Sequence, residues 1–165
     1  MNEIMEKENI EIENFIYEVR GKQVMIDSDL AKLYHVETKR INEAVKNNPD
    51  KFPERFSWKL NDEEYKNLKS KFSTSSLDTH GGRRKAPRVF TEQGVAMLST
   101  ILKSDVATKV SIAIMDAFVS MRKYILHTRI NLDNYSNMLI DHEERIKMLE
   151  NTFSKFDIFS NELFF

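Results

Sequence analysis

Two groups of side chains in this sequence are of the types that proteins use to contact nucleic acid. The first group is Thr38, Lys39, Arg40, Asn42 and Lys46, and the second is Arg83, Arg84, Lys85 and Arg88. Lys and Arg donate to the acceptors of guanine, Asn pairs with adenine, and the basic side chains also bind phosphate. If folding brings both groups to the surface, they predict recognition of a polyanion.

The first group lies in residues 28–47, whose pattern is typical of a helix-turn-helix. Apolar residues recur at helical spacing on both sides of a break at residues 35–37: Leu30, Leu33, Ile41 and Val45. We expect Ser28 to cap the first helix through its hydroxyl, and Thr38 to begin the second helix. The outward face of the second helix then carries the first group of side chains.

Small and apolar residues also occur where this motif needs them. Ala31 is the small residue at the predicted helix crossing, and Ile41 and Ala44 occupy inward positions of the second helix. Two ordinary amphipathic helices with a solvated basic face would explain the same pattern. Many helix-turn-helix motifs have glycine in the turn, where this chain has His35, and that difference slightly favours the ordinary helices.

The second group lies in residues 73–88, which show no apolar periodicity and contain Gly81, Gly82 and a proline. This composition predicts a mobile loop. Positive charge on a flexible segment suits an arm that contacts the phosphate backbone or the minor groove and orders on binding. The alternative is a solvated loop, as most basic runs are. A nucleotide-binding P-loop is excluded, because no GxxxxGK[ST] pattern is present.

Catalytic and metal-binding patterns are missing from the sequence. The four histidines are scattered without an HExxH pattern, no GxSxG nucleophile elbow occurs, and the chain has no cysteine. We therefore expect no catalytic residue, no metal site, no cofactor and no small-molecule substrate. An enzyme is the least favoured class of protein.

Composition and charge indicate a cytoplasmic globular protein with a basic centre. Hydrophobic residues make up 41% of the 165 residues and charged residues 31%, which excludes wholesale disorder. The start of the chain lacks a signal-peptide pattern, and no stretch is apolar enough for a membrane span. Residues 1–14 carry a net charge of -4, residues 15–126 carry +6, and residues 127–165 carry -3. A basic domain with acidic flanks is typical of nucleic-acid binding.

The remaining segments predict an α+β fold. A β-hairpin is expected to turn at Gly21, and a half-buried strand to alternate Phe56, Trp58 and Leu60 against outward Ser57 and Lys59. Three residues are suited to cap further helices: Asn61, Thr91 and Ser104. The helix after Ser104 is expected to bury one stripe, formed by Val106, Val110, Ala113, Ala117 and Met121. The small hairpin and short strands would pack with the helix-turn-helix-like pair and two central helices, followed by a C-terminal heptad-patterned helix.

The C-terminal residues show a heptad pattern. Eight positions spaced alternately by three and four residues form what we call the heptad seam: Leu132, Tyr135, Leu139, His142, Ile146, Leu149, Phe153 and Phe156. Such a seam is typical of a coiled coil and predicts a homodimer through residues 132–156. The expected organisation is an acidic flexible N-terminus (1–14), a DNA-binding domain (15–126) and a helical extension (127–165).

Several blocks in one order resemble the KilA-N-type DNA-binding domain, in the variant named for the N-terminal part of a phage open-reading-frame-six product. The blocks, within residues 15–125, are IYEVRGKQVMIDSDLAKLYHVETKRINEAVKNN, FPERFSWKL, GGRRKAPRVFTEQGVAMLSTIL and IMDAFVSMR. The resemblance implies a compact α+β domain that binds double-stranded DNA. It also implies a regulatory or antirepressor-like protein of the kind encoded by phages, large DNA viruses and prophage-derived genes.

Two functional hypotheses follow. In the first, residues 38–47 contact bases and the basic loop contacts phosphates, so that a dimer binds two-fold DNA targets and regulates transcription. In the second, the chain is a protein-interaction module, an antirepressor that binds a repressor protein and assembles through the heptad seam without contacting DNA. A steep dependence of duplex binding on salt would distinguish the first from the second.

Overall fold

The computed structural model describes residues 12–71 and 85–163. The chain divides into two units, a first unit of residues 1–121 and a second unit of residues 122–165. Most of the predicted flexible N-terminus lies outside the described residues, but Ile12 at its end is buried in the core.

The first unit is built on a four-stranded antiparallel sheet in the order β1-β2-β4-β3. The strands are β1 (Tyr17–Val19), β2 (Lys22–Ile26), β3 (Ser57–Lys59) and β4 (Arg88–Phe90). The predicted hairpin is confirmed, because β1 and β2 are joined by Arg20 and Gly21, whose φ angles are 54° and 70°. Two successive positive φ angles give a tight turn whose twist matches that of the strands.

Strand β4 corrects the prediction of a loop that extends to Arg88. Arg88 begins an interior strand, in which Val89 pairs with Ile26 of β2 on one side and with Trp58 of β3 on the other. A strand of three residues has too few positions for an alternating pattern, so its distant partners define it. Residues 73–84 of the predicted loop lie outside the described residues.

The predicted helix pair is confirmed as α1 (Asp27–Tyr34) and α2 (Thr38–Asn47). The turn begins at His35, which has the left-handed conformation that favours glycine, with a φ of 55°. The His35 N–H donates to the carbonyl of Lys32, so the turn closes without a glycine. The residues predicted to face inward are buried: Ala31, Ile41 and Ala44.

Ser28 does not cap α1, contrary to the prediction. The helix begins at Asp27, two residues before the start that a Ser28 cap would give, and no side chain at the observed cap position, Ile26, hydrogen-bonds to it. The Ser28 hydroxyl is buried, and among the residues that the structure describes it has no hydrogen-bond partner. The Asp27 carboxylate instead accepts from the Ser28 N–H over 2.8 Å. An acidic side chain in the first turn is also favoured by the helix dipole.

Three further helices follow the sheet strands: α3 (Asp62–Lys71), α4 (Glu92–Ser99) and α5 (Asp105–Leu163). Their predicted caps are confirmed, because each cap side chain accepts a hydrogen bond from the N–H three residues later: Asn61, Thr91 and Ser104. These are local interactions of the kind that sequence patterns capture well.

Strand β3 confirms the predicted strand but corrects the outward position of Ser57. Lys59 is exposed as expected, whereas Ser57 is buried and its hydroxyl donates to the carbonyl of Val89 over 2.9 Å. The hydrogen bond across to β4 satisfies a polar group that the alternating pattern assigns to solvent.

Two apolar clusters cover the two faces of the sheet. On one face, Met25 and Phe90 pack with α1, α2, α4 and the first part of α5. On the other face, Val24 and Val89 pack with Leu68 of α3. The larger cluster fixes α2 against the sheet and so determines which of its side chains face outward.

The buried stripe of α5 differs in part from the predicted one. Val106 is exposed, and the buried positions include Ala107, Ile114 and Phe118, while Ala117 is buried as predicted. Adjacent residues on a helix differ by about 100° in direction, so a small rotation exchanges one for the next. The neighbours of α5 set that rotation, and they come from distant parts of the sequence.

In the second unit, residues 129–159 are helical and every one of them is exposed, including the whole heptad seam. Within residues 12–71 and 85–163, no helix is both long and apolar enough to cross a membrane. The order of short antiparallel strands and helices confirms the predicted α+β class.

Candidate nucleic-acid interface

A groove of about 870 Å³ lies between α2, the end of β3 and the residues that lead into β4. We call it the basic groove. Its basic lining residues come from three separate parts of the chain: Lys39, Lys46, Lys59, Lys85 and Arg88. Two carboxylates, Asp27 and Glu43, also line it. Folding thus brings members of both predicted groups to one surface.

Helix α2 forms one wall of the basic groove. Ile41, Ala44 and Val45 are buried on its inner side, which leaves Lys39 and Lys46 on the outer side. The Lys39 ammonium lies 3.8 Å from the Glu43 carboxylate one turn later, and both side chains are exposed. Exposed pairs of this kind are weak, so Lys39 can exchange Glu43 for another anion.

The sheet wall of the basic groove places two cations side by side. Lys59 on β3 and Arg88 on β4 are directly opposite in the antiparallel register. Their side chains therefore leave the sheet on the same face, where like charges in opposite positions are destabilising. The Asp27 carboxylate interacts with the Arg88 guanidinium and offsets part of this repulsion, which leaves Lys59 as the exposed cation of the pair.

A buried carboxylate holds the two walls together. Asp27 is 3% exposed, and its Oδ2 accepts from the Asn42 side chain over 3.0 Å and from the Arg88 backbone N–H over 3.2 Å. Asp27 thereby connects α1, α2 and β4. Each of these hydrogen bonds to a charged acceptor is stronger than a neutral one, so the geometry of the groove is firmly set.

Two predicted contact residues are already engaged within the domain. Asn42 donates one amide hydrogen to Asp27 and the other to the carbonyl of Thr38 over 3.2 Å. Arg88 donates through Nη1 to the Ser57 hydroxyl over 3.2 Å. Partial burial lowers the pKa of Arg88, while the Asp27 carboxylate opposes this shift. The guanidinium stays charged at neutral pH because its ordinary pKa is so high.

The other predicted residues are divided between surfaces. Thr38 is half-buried at the start of α2. Arg40 does not line the basic groove but borders a separate cavity of about 240 Å³ beside Lys103. Arg83 and Arg84 lie outside the described residues. Lys85 is exposed at the rim of the groove, where this basic segment rejoins the sheet.

Lys59 is the basic side chain of the groove that sequence reasoning missed, and Asp27 is the acidic one. Its outward position on a half-buried strand was predictable from the alternation with Trp58, but many surface lysines share that pattern. What identifies Lys59 is its place opposite Arg88, and that pairing depends on β4.

Positive charge also lies at the β1–β2 turn, but there, unlike in the basic groove, nearby carboxylates neutralise it. Arg20 lies 2.9 Å from Glu64 and 3.6 Å from Glu54, and its guanidinium stacks 5.0 Å above the centre of the Trp58 ring. In the part of the chain that the structure describes, no carboxylate lies within 4.0 Å of the amines of three groove residues: Lys46, Lys59 and Lys85. The groove is therefore the better anion site.

Metal binding has no comparable support. Among the described residues, no three His, Cys, Asp or Glu side chains are grouped closely enough to hold a metal ion.

Comparison with protein families gives one match. The model described as the ORF6N domain matches residues 14–101, which is more than half of the chain and includes the whole lining of the basic groove. This match confirms the KilA-N-like resemblance that the sequence blocks predicted. Comparisons with curated proteins and with solved structures found no match.

Proposed function

Because the chain belongs to the ORF6N domain family, a KilA-N-like family of phage and viral proteins, we propose that it is a DNA-binding regulatory protein that holds duplex DNA at the basic groove. One observation carries the proposal: five basic side chains from separate parts of the sequence line a single groove beside α2. Phosphate contacts supply most of the affinity of such proteins, and these cations are placed to provide them.

The proposal assigns base contacts to α2 and phosphate contacts to the sheet side. Helix α2 has ten residues and is about 15 Å long, and the major groove, about 12 Å wide, admits a helix of this kind. Thr38, Lys39 and Lys46 would reach base edges or adjacent phosphates. Lys59 and Lys85 would hold the backbone, and Arg83 and Arg84 would add to these contacts.

Asn42 and Arg88 have a different part in this proposal. Recognition of adenine by Asn42 requires an amide hydrogen, and both are committed to Asp27 and Thr38. Arg88 is likewise tied to Ser57 and Asp27. We assign these two residues mainly to positioning the groove, with Arg88 adding positive charge to its floor.

The wider role follows from the family. We propose a phage- or prophage-derived regulator of transcription that acts in the cytoplasm, and we assign it no catalytic activity, cofactor or small-molecule substrate. Self-association through residues 132–156 would present two DNA-binding domains on one assembly. Two linked domains bind two-fold targets more tightly than either alone, without any new contact.

Selection of duplexes from a random library at two salt concentrations tests this function, and a charge-matched pair of variants tests the groove. The groove variant combines Lys46→Ala, Lys59→Ala and Lys85→Ala. The control combines Lys66→Ala, Lys69→Ala and Lys71→Ala, which remove equal charge from exposed positions of α3. Loss of three phosphate contacts makes the negative slope of log K against log salt shallower by about 2.7, and the control should keep the wild-type slope. Equal slopes in all three proteins would refute the groove as the DNA site.

A protein-interaction role is the second candidate, because the second unit exposes large apolar side chains along its helix. Extended exposed apolar surface on a protein marks a site for another protein. An antirepressor would bind a repressor protein through this surface. Stoichiometric binding to a purified repressor, combined with no enrichment of any duplex in the library, would favour this role over DNA binding.

A further inference from the structure

The heptad seam is an exposed apolar surface on one helix. Its apolar members are 55% to 72% exposed, and all of them lie in the second unit. A single helix with such a surface is marginal in water, because most helix stability in proteins comes from packing of the apolar face. The seam spans residues 132–156, about 36 Å of helix, which is long enough for a coiled coil with a second helix.

The charges beside the heptad seam distinguish between parallel and antiparallel pairing of two such helices. With Leu132 and every seventh residue after it as position a, one flanking position, e, is occupied by Glu143, Glu150 and Asp157. The other flank, position g, carries Arg145. Glu143 already lies 3.8 Å from Lys147 of the same helix, so Arg145 and Glu150 dominate the interhelical charge pattern.

Parallel and antiparallel pairing bring different charges together. In a parallel pair, position g of one helix meets the e position five residues further along the other, so each Arg145 faces Glu150 of the second copy. In an antiparallel pair aligned about the centre of the seam, like positions meet, so Arg145 faces Arg145 and Glu143 faces Glu150. The first arrangement forms two attractive pairs, whereas the second places like charges together on both flanks.

We propose that residues 132–156 bind the same residues of a second copy of this chain in a parallel, in-register, two-stranded coiled coil. The inference rests on the self-association included in the proposed function and specifies its partner, orientation and register. His142, the one polar seam residue, supports the register. In register, the two imidazoles face each other, whereas a shift by one heptad would place each against Leu149 or Tyr135. A single polar position of this kind sets register at some cost in stability.

Two isoleucines provide a matched test of the surface. Ile146 lies in the heptad seam and is 55% exposed, and Ile140, six residues earlier, lies outside the seam and is 56% exposed. The Ile146→Asn protein should be a monomer at concentrations where the wild type and the Ile140→Asn protein are dimers, measured as molar mass by light scattering. A wild-type monomer or trimer, or equal weakening by the two substitutions, would overturn the proposed pairing.

Cross-linking then tests the orientation. The chain has no cysteine, so each introduced thiol is the only one. Leu139→Cys and Leu149→Cys proteins, one of them carrying a mass tag, are mixed, allowed to exchange subunits and oxidised. Parallel in-register pairing brings each position beside its own copy, and each protein alone should form disulfide-linked dimers. Antiparallel pairing about the centre of the seam brings residue 139 beside residue 149.

The outcomes separate this inference from the proposed function. Cross-linking within each variant alone, together with no mixed disulfide, supports the parallel pair, because residues 139 and 149 then lie about 15 Å apart along the coiled coil. Cross-linking found only between the two variants in the mixture overturns it while leaving self-association intact. The DNA-binding proposal is tested by the salt dependence of the groove variants, which does not depend on either cross-linking result.

Discussion

The two units of this protein differ in what surrounds their apolar side chains. Every buried apolar side chain that the structure describes lies between Ile12 and Phe118, where the sheet and helices cover one another. Beyond Met121, the helix exposes most of its large apolar residues, and residues 129–159 are all exposed. The first unit contains its own core, whereas the described residues of the second unit include no buried apolar side chain.

This difference separates the two surfaces that we assign to function. The basic groove is lined by charged side chains, and buried contacts behind it, above all those of Asp27, hold these side chains in place. The heptad seam is apolar and has no supporting contacts until a partner supplies them. Substitutions behind the groove should therefore change the stability of the first unit, whereas seam substitutions should change assembly.

The largest expected effect tests whether the first unit depends on its core. Ile114 is 0% exposed and Ile112, on the same helix, is 58% exposed. Ile114→Ala should lower the free energy of unfolding by about 2 to 5 kcal/mol, because it leaves a cavity. Ile112→Ala should change it by no more than about 0.5 kcal/mol. Urea denaturation followed by Trp58 fluorescence measures both, and similar losses would show that the assigned core is wrong.

The next largest effect tests whether Asp27 acts by holding the walls of the basic groove in position or through its negative charge. Asp27→Ala leaves the Asn42 and Arg88 donors without their acceptor, which should cost about 2 kcal/mol of stability. It also removes a negative charge from the proposed DNA-binding surface, so charge alone predicts tighter binding. We expect weaker binding because the two walls lose their connection.

Glu43→Gln is the control for this test. It removes a negative charge from the same groove at an exposed position, and we expect it to tighten DNA binding slightly. Affinities for one selected duplex at one salt concentration compare the two variants. Tighter binding by both proteins would show that Asp27 acts through its charge and not by positioning.

These cases also show which features the sequence could predict. The turn at Gly21, the start of α2 at Thr38 and the caps at Thr91 and Ser104 depend on residues a few positions apart, so local patterns identify them. The basic groove depends on β4, whose three residues become a strand only by pairing with β2 and β3. Lys59 therefore could not be assigned to the site in advance.

A smaller effect concerns ionisation in the core. Burial raises the pKa of Tyr34 above its usual value. The Ser111 hydroxyl donates to the carbonyl of Ala107, so Tyr34 is the donor in its 2.7 Å hydrogen bond with Ser111. Protonated Tyr34 stabilises the fold fully below about pH 10, which is the pKa of tyrosine in unfolded chains. This stabilisation is lost as the pH rises from there through the higher pKa of Tyr34 in the folded protein.

The Tyr34→Phe protein isolates this contribution. At pH 7 it should lose about 1 kcal/mol of stability, the value of one buried hydrogen bond. Above pH 10 its stability should fall less steeply than that of the wild type, because Phe does not ionise. Denaturation midpoints measured from pH 7 to pH 11 give both values, and parallel profiles would exclude an ionisation at Tyr34.

The smallest expected effect lies at Ser28, whose hydroxyl is the one buried side-chain polar atom without a hydrogen-bond partner among the described residues. As a helix cap, Ser28 would contribute about 1 kcal/mol, as Thr91 does through its bond with the Gly94 N–H. A buried hydroxyl without a partner instead carries a desolvation cost. We therefore expect Ser28→Ala to leave stability unchanged or to raise it slightly, and Thr91→Ala to lower it by about 1 kcal/mol. If both proteins lose equal stability in urea, Ser28 is a cap after all, and α1 begins where the sequence pattern places it.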